Sequence, residues 1–265
     1  MPLTLLDRPE ILRAVFYPRP EYGFSPEVAG DGSLSIEVEP GITAGARLFV
    51  ADRTAPAILY WHGNGEIAAD YDGLSALYTD LGITLLVVDY RGYGSSDGTP
   101  TCSNLLSDAV KVYDALGGVW REHDLSPSRL YLMGRSLGSA AAIEVAASLG
   151  EHVDGLVVES GFADTFALLS RLGIRIQGAD ESRDGFDNAA KAERVTIPTL
   201  IIHGQSDVLI PAQDGRELFR RCAAEDKRLV LIPGAGHNDL LLVGREVYMD
   251  SIVAFVFGER GGPTW

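Results

Sequence analysis

From Ala57 onward, continuous apolar runs of strand length recur: "AILYWHG", "ITLLVVDY", "RLYLMG", "GLVVES", "TLIIHG" and "RLVLIPG". Runs of Val, Ile and Leu without in-and-out alternation suit strands buried on both faces, as in a parallel sheet covered by helices on both sides. Between them lie segments of helical period. "SNLLSDAVKVYDALGG" puts Leu105, Ala109, Val112 and Leu116 on one face, and "SAAAIEVAASLG", "AQDGRELFRRCA" and "REVYMDSIVAFVFG" also read as helices. This alternation predicts an α/β fold with a doubly wound, mostly parallel sheet. Before about residue 55 the apolar runs are shorter and broken by Pro and Gly. There "RAVFYPRP", "GSLSIEVEPG" and "GARLFVAD" read as antiparallel strands added at one edge.

A chain of 265 residues with 46% hydrophobic content is long enough to bury one core, so a single domain over 1–265 is expected. The connection from Gly161 to Pro198 is too long for a turn and reads as a short cap insertion over 161–197. Phe162, Phe166, Leu169 and Leu172 fall at helical spacing within it, a pattern that favours packing on the sheet over roofing a pocket. The net charge of −15 is spread among interspersed charges with no basic stripe. Such a surface repels phosphate, which argues against nucleic acid and membrane partners and leaves neutral small molecules. Cys102 and Cys222 lie far apart, outside any metal-ligand spacing, and read as free thiols. Asp7, Arg8 and Glu10 break the apolar run of the N-terminus, so no signal peptide is read and a cytoplasmic setting is the default.

Two stretches fit G-x-S-x-G: Gly134-Arg-Ser-Leu-Gly138 and Gly94-Ser-Ser-Asp-Gly98. The pattern carries chemistry only where a strand delivers the serine to its end and a helix starts at once behind it. Ser136 meets both conditions, because "RLYLM" runs into Gly134 and an Ala-rich helix follows. Ser96 meets neither, and its glycines and aspartate read as turn chemistry. A serine hydroxyl needs a base, best a histidine held in one tautomer by a carboxylate. Asp207 follows "TLIIHG" and His237 follows "RLVLIPGAG", so each of the three comes after its own predicted strand.

The other histidines have blander readings. His62 orders a loop, His203 is a satisfied structural residue, and His123 and His152 are surface side chains. Glu159 is the runner-up carboxylate, ahead of Asp239 and Asp214. For the oxyanion, the backbone N–H of Leu137 and that of Asn64 in His62-Gly-Asn-Gly65 are the expected donors.

In their order along the chain, "WHGNG", "VVDYRGYGSSDGTPT", "LMGRSLGSAAA", "FDNAAKAERVTIPTLIIHGQSDVLIP" and "PGAGHNDL" resemble the α/β-hydrolase superfamily, more narrowly its small serine-aminopeptidase-like and prolyl-oligopeptidase-like members. The resemblance implies the fold, a Ser136–Asp207–His237 triad and hydrolase activity. It also implies a non-catalytic "DYRGYGSSDG" loop near the site and a cap in which substrate choice resides. Some relatives with the "HGNG" and "GRSLGS" blocks are depalmitoylating thioesterases, but this chain lacks their N-terminal cysteine cluster.

The reading from sequence is a serine hydrolase of carboxylic esters or thioesters, acting through an acyl-enzyme and using neither metal nor cofactor. Rivals on the same triad are an acyltransferase and a peptidase or amidase, for which Glu159, Asp180 or Glu181 would anchor the peptide amine. A non-catalytic binding protein is the alternative of a different class, and a dehalogenase would place an aspartate where Ser136 stands. Oligomeric state is not legible in the sequence.

Overall fold

The computed structural model describes residues 2–21 and 32–258; residues 1, 22–31 and 259–265 of the expected domain lie outside the described set. Eight strands form one sheet: β1 (Ser33–Glu39), β2 (Ile42–Phe49), β3 (Ala57–Trp61), β4 (Thr84–Val88), β5 (Leu130–Arg135), β6 (Gly155–Glu159), β7 (Thr199–Gly204) and β8 (Lys227–Ile232). Their order is β1-β2-β4-β3-β5-β6-β7-β8. The β1–β2 and β2–β4 pairs are antiparallel, and every later pair is parallel.

The helices are α1 (Pro9–Val15), α2 (Ala76–Thr79), α3 (Cys102–Glu122), α4 (Gly138–Leu149), α5 (Thr165–Arg171), α6 (Glu181–Asp184), α7 (Asn188–Ala192), α8 (Ala212–Arg221) and α9 (Leu240–Phe257). Successive side chains of each strand enter opposite faces. Leu59, Trp61, Leu86, Val88, Leu132 and Leu156 pack with α3 and α4 on one face, whereas Ile58, Tyr60, Leu85, Val87 and Met133 pack with α9 on the other. Each fully buried aliphatic side chain contributes about 1.5–3 kcal/mol, so both faces must be covered. The start of α3 is fixed by a reciprocal cap: Thr101 Oγ1 accepts from Asn104 N (3.0 Å), and Asn104 Oδ1 accepts from Thr101 N (2.8 Å). No described helix is long and apolar enough to cross a membrane.

Three expectations are corrected. "RAVFYPRP" is not a strand. Its first residues close α1, which starts with Pro9 and buries Ile11 and Val15 one turn apart. The rest makes only an isolated bridge, Pro20 with Gly94, because Pro18 and Pro20 lack the N–H that a ladder needs. Strand β8 is covered incompletely, with only Ile232 fully buried, since it ends the sheet. The last helix begins at Leu240, ahead of the expected Arg245, and is interrupted at Gly244.

The 161–197 connection carries α5, α6 and α7. Phe162 and Leu169 join the core, Phe166 packs against it half-buried, and Leu172 is exposed. Phe186 meets the Phe162 ring edge-on at 5.7 Å. Asn188 Nδ2 donates to Phe162 O (3.0 Å), and Ala163 N donates to Asp214 Oδ1 on α8 (3.0 Å). These contacts tie the segment to the body of the molecule.

Candidate active site

Strand β5 ends at Arg135, and α4 starts at Gly138, so the chain must reverse within two residues. Ser136 makes the turn with φ +51°, a left-handed conformation that a non-glycine residue holds only when its surroundings enforce it. The enforcement is visible. Ser136 N donates to Glu159 O (2.9 Å), a Cβ on Gly134 would strike Gly138 O, and a Cβ on Gly138 would strike Trp61 O. Helix α4 can therefore start directly behind the serine and press on β3.

The loops after β7 and β8 bring the other two expected residues to it. His237 Nε2 lies 2.9 Å from Ser136 Oγ, and His237 Nδ1 lies 2.7 Å from Asp207 Oδ2. Asp207 is buried, and its Oδ1 accepts from Leu209 N (2.9 Å) and Ile210 N (2.8 Å). Burial alone would raise its carboxyl pKa. Hydrogen bonds from His203 and His237, the His237 charge and the Ile210 N–H outweigh burial and hold it well below the usual carboxylate range. An ionised Asp207 keeps the proton on His237 Nδ1 and leaves the Nε2 lone pair facing the serine hydroxyl.

Neither Leu137 N nor Asn64 N has a hydrogen-bond acceptor among the described residues. The loop holding Asn64 is not a loose turn. Asn64 Oδ1 accepts from Tyr93 OH (2.6 Å) and Tyr17 N (2.9 Å), while Glu66 Oε2 accepts from Gly63 N (2.9 Å). His62 orders the base of this loop, with Nε2 3.1 Å from Asp89 Oδ1 and Nδ1 2.8 Å from Gly63 O. Ser96 lies in a loop, where its hydroxyl accepts from Gly45 N (2.8 Å). His123 and His152 are exposed.

The runner-up carboxylate is not used, and one expectation fails. Among the described residues Glu159 makes no hydrogen bond or ion pair with His237; its carboxylate accepts from Arg135 Nε (3.1 Å) and Tyr248 OH (2.7 Å). His203 is not fully satisfied: Nε2 reaches Ile210 O (2.7 Å) and Asp207 Oδ2 (3.5 Å), but buried Nδ1 has no partner among the described residues. The remaining carboxylates are spent elsewhere. Asp214 pairs with Arg171 (3.0 Å), Asp239 accepts from Gly236 N (2.6 Å), and Asp180 caps α6 through Arg183 N (3.2 Å). Glu181 accepts from Thr165 Oγ1 (2.7 Å) and Asp187 N (2.9 Å).

A family model described as serine aminopeptidase, S33, matches residues 52–167 and 167–241. The chain belongs to this family. Among curated relatives, an uncharacterized protein of Mycobacterium tuberculosis, Rv2307c, is 30% identical over 252 residues, covering 92% of this chain and 86% of its own. The alpha/beta hydrolase domain-containing protein 17B of Homo sapiens is 32% identical over 210 residues, covering 76% of this chain and 66% of its own. Among solved structures, the esterase Pf2001 of Pyrococcus furiosus superposes with a TM-score of 0.72 at 16% identity, covering 93% of this chain and 100% of the esterase. That likeness shows the α/β-hydrolase fold.

What sequence reading missed is the arginine inside the motif. Arg135 Nη2 donates to His237 O (3.0 Å) and to Asn238 Oδ1 (2.8 Å), and Nη1 pairs with Glu66. The signal available was three charged residues, Glu66, Arg135 and Glu159, each at the end of a strand or in the loop beyond it.

Proposed function

We propose that the protein is a serine hydrolase of neutral carboxylic esters or thioesters. The observation that carries this reading is the Ser136–His237–Asp207 relay, with contacts of 2.9 and 2.7 Å, at a strained strand-to-helix turn. His237 Nε2 takes the Ser136 proton as Oγ attacks the acyl carbonyl. The N–H groups of Leu137 and Asn64 hold the developing oxyanion. Collapse expels the alcohol or thiol, which receives the proton from His237, and an acyl-serine remains. Water activated by the same imidazole then releases the acid.

An ester is favoured over a peptide because an aminopeptidase needs an unspent carboxylate for the substrate amine. Glu159, Asp180 and Glu181 are each spent on internal hydrogen bonds. The net charge of −15 favours uncharged substrates over anionic ones. Proteins of similar fold include an esterase of Pyrococcus furiosus and a monoacylglycerol lipase of Paleococcus ferrophilus, which supports acyl chemistry.

The test is hydrolysis of p-nitrophenyl esters of graded acyl length by wild type and Ser136→Ala, with products analysed in the presence of added alcohols and thiols. Wild-type turnover that falls by about 10⁶-fold in Ser136→Ala is the expected result. Equal rates in the two proteins would overturn the proposal, and acyl transfer exceeding hydrolysis would make the protein an acyltransferase.

A further inference from the structure

Arg135 lies between Gly134 and Ser136, with its side chain only 11% exposed. Its guanidinium reaches three separate parts of the fold. Nε donates to Glu159 Oε1 (3.1 Å) at the end of β6, the residue whose carbonyl accepts from Ser136 N (2.9 Å). Nη1 pairs with Glu66 in the loop that carries Asn64. Nη2 donates to His237 O (3.0 Å) and Asn238 Oδ1 (2.8 Å) in the loop after β8.

Both carboxylates are held at their second oxygens as well. Glu66 Oε2 accepts from Gly63 N (2.9 Å) and Tyr71 OH (2.9 Å), and Glu159 Oε2 accepts from Tyr248 OH (2.7 Å). A Cβ on Gly63 would collide with the guanidinium, so glycine there lets the loop lie directly on the arginine. Burial pushes the Glu66 carboxyl pKa up, but the charge of Arg135 leads the effects that bring it below its ordinary value. Glu66 therefore stays a charged anchor.

Stability alone is a weak reason for this arrangement, since a buried ion pair roughly breaks even against apolar residues of similar volume. What a planar fork of five donors supplies is relative geometry. We propose that Arg135 is a positioning residue that sets the Asn64 loop and the His237 loop at fixed places relative to Ser136. The proposal rests on the esterase reading of the site. Arg135 touches no reacting atom. It acts through the two loops, so its removal should slow acyl transfer while leaving substrate binding nearly unchanged.

The experiment compares wild type, Arg135→Lys and Glu66→Gln. It measures kcat per active site, counted by fluorophosphonate labelling so that misfolded molecules drop out, together with KM and the melting temperature. Affinity for a trifluoromethyl ketone, which forms an oxyanion on the serine, is measured in parallel. Arg135→Lys should lose about 100-fold in kcat, the scale of a misplacement near 1 Å, and Glu66→Gln about 10-fold. KM should stay within about twofold, and ketone affinity should fall in step with kcat/KM.

Wild-type kcat per labelled site in both variants, with only the melting temperature lowered, would overturn the proposal and leave Arg135 a structural part. Should Arg135→Lys not fold, the part-exposed Glu66 position carries the same test by itself. A folded wild type that neither labels nor turns over esters is a separate outcome, which removes the esterase reading itself.

Discussion

Asp207 is shared by two imidazoles, His237 at 2.7 Å and His203 at 3.5 Å, and only the first is legible along the chain. The order Ser136, Asp207, His237 is visible because each residue follows an apolar run. His203 is hidden as an ordinary strand residue until the loop from Asp207 to Ile210 curls back over it. Arg135 and Glu66 are hidden for the same reason: their meeting depends on how adjacent strands align, which the sequence pattern does not encode. In Asp207→Asn the amide can donate toward His237 and favour the wrong tautomer. Its kcat should fall by about 10⁴-fold with little change in KM. The folded carboxyl pKa lies below the ordinary unfolded value near 3.9, so the stabilisation from Asp207 is complete above about pH 4. It is lost as pH drops through the folded value. Melting temperatures of wild type and Asp207→Asn should therefore differ most near pH 7 and converge toward pH 2.5; a gap independent of pH would contradict this.

At the scale of elements, β5 and α4 do the positioning, and both are legible because a buried run and an Ala-rich helical stretch abut at one motif. Gly134 and Gly138 are part of that joint. In Gly138→Ala the added methyl group meets the Trp61 carbonyl, so α4 must back away from β3 and take Ser136 with it. We expect kcat to fall at least about 100-fold while most of the fold is retained; circular dichroism together with kcat checks this, and a folded variant of wild-type activity would refute it. The elements misread were those where local signals conflict. "RAVFYPRP" has the apolar content of a strand, but its prolines limit pairing to one isolated bridge, and Ile11 and Val15 keep helical spacing. Gly244, where α9 is interrupted, lies so close to Ile232 that a side chain there would collide, a tertiary contact absent from the periodicity.

Across the whole molecule, the alternation of strands and helices revealed the class of fold but not the order of its strands. The central position of β3 and β5, with the antiparallel pair beyond β4, follows from crossovers that the pattern leaves open. The loops after β3, β5, β7 and β8 converge at one end of the sheet. In an open α/β sheet, the carboxyl ends of the strands are where ligands bind. The proposed hydrolase activity requires that this convergence produce one activated serine. Treatment of folded wild-type protein with a fluorophosphonate, with the adduct located by mass spectrometry, tests it most directly. One stoichiometric adduct on Ser136 and none on Ser96, abolished in Ser136→Ala, is the expected result; an adduct on another serine, or none at all, would contradict it.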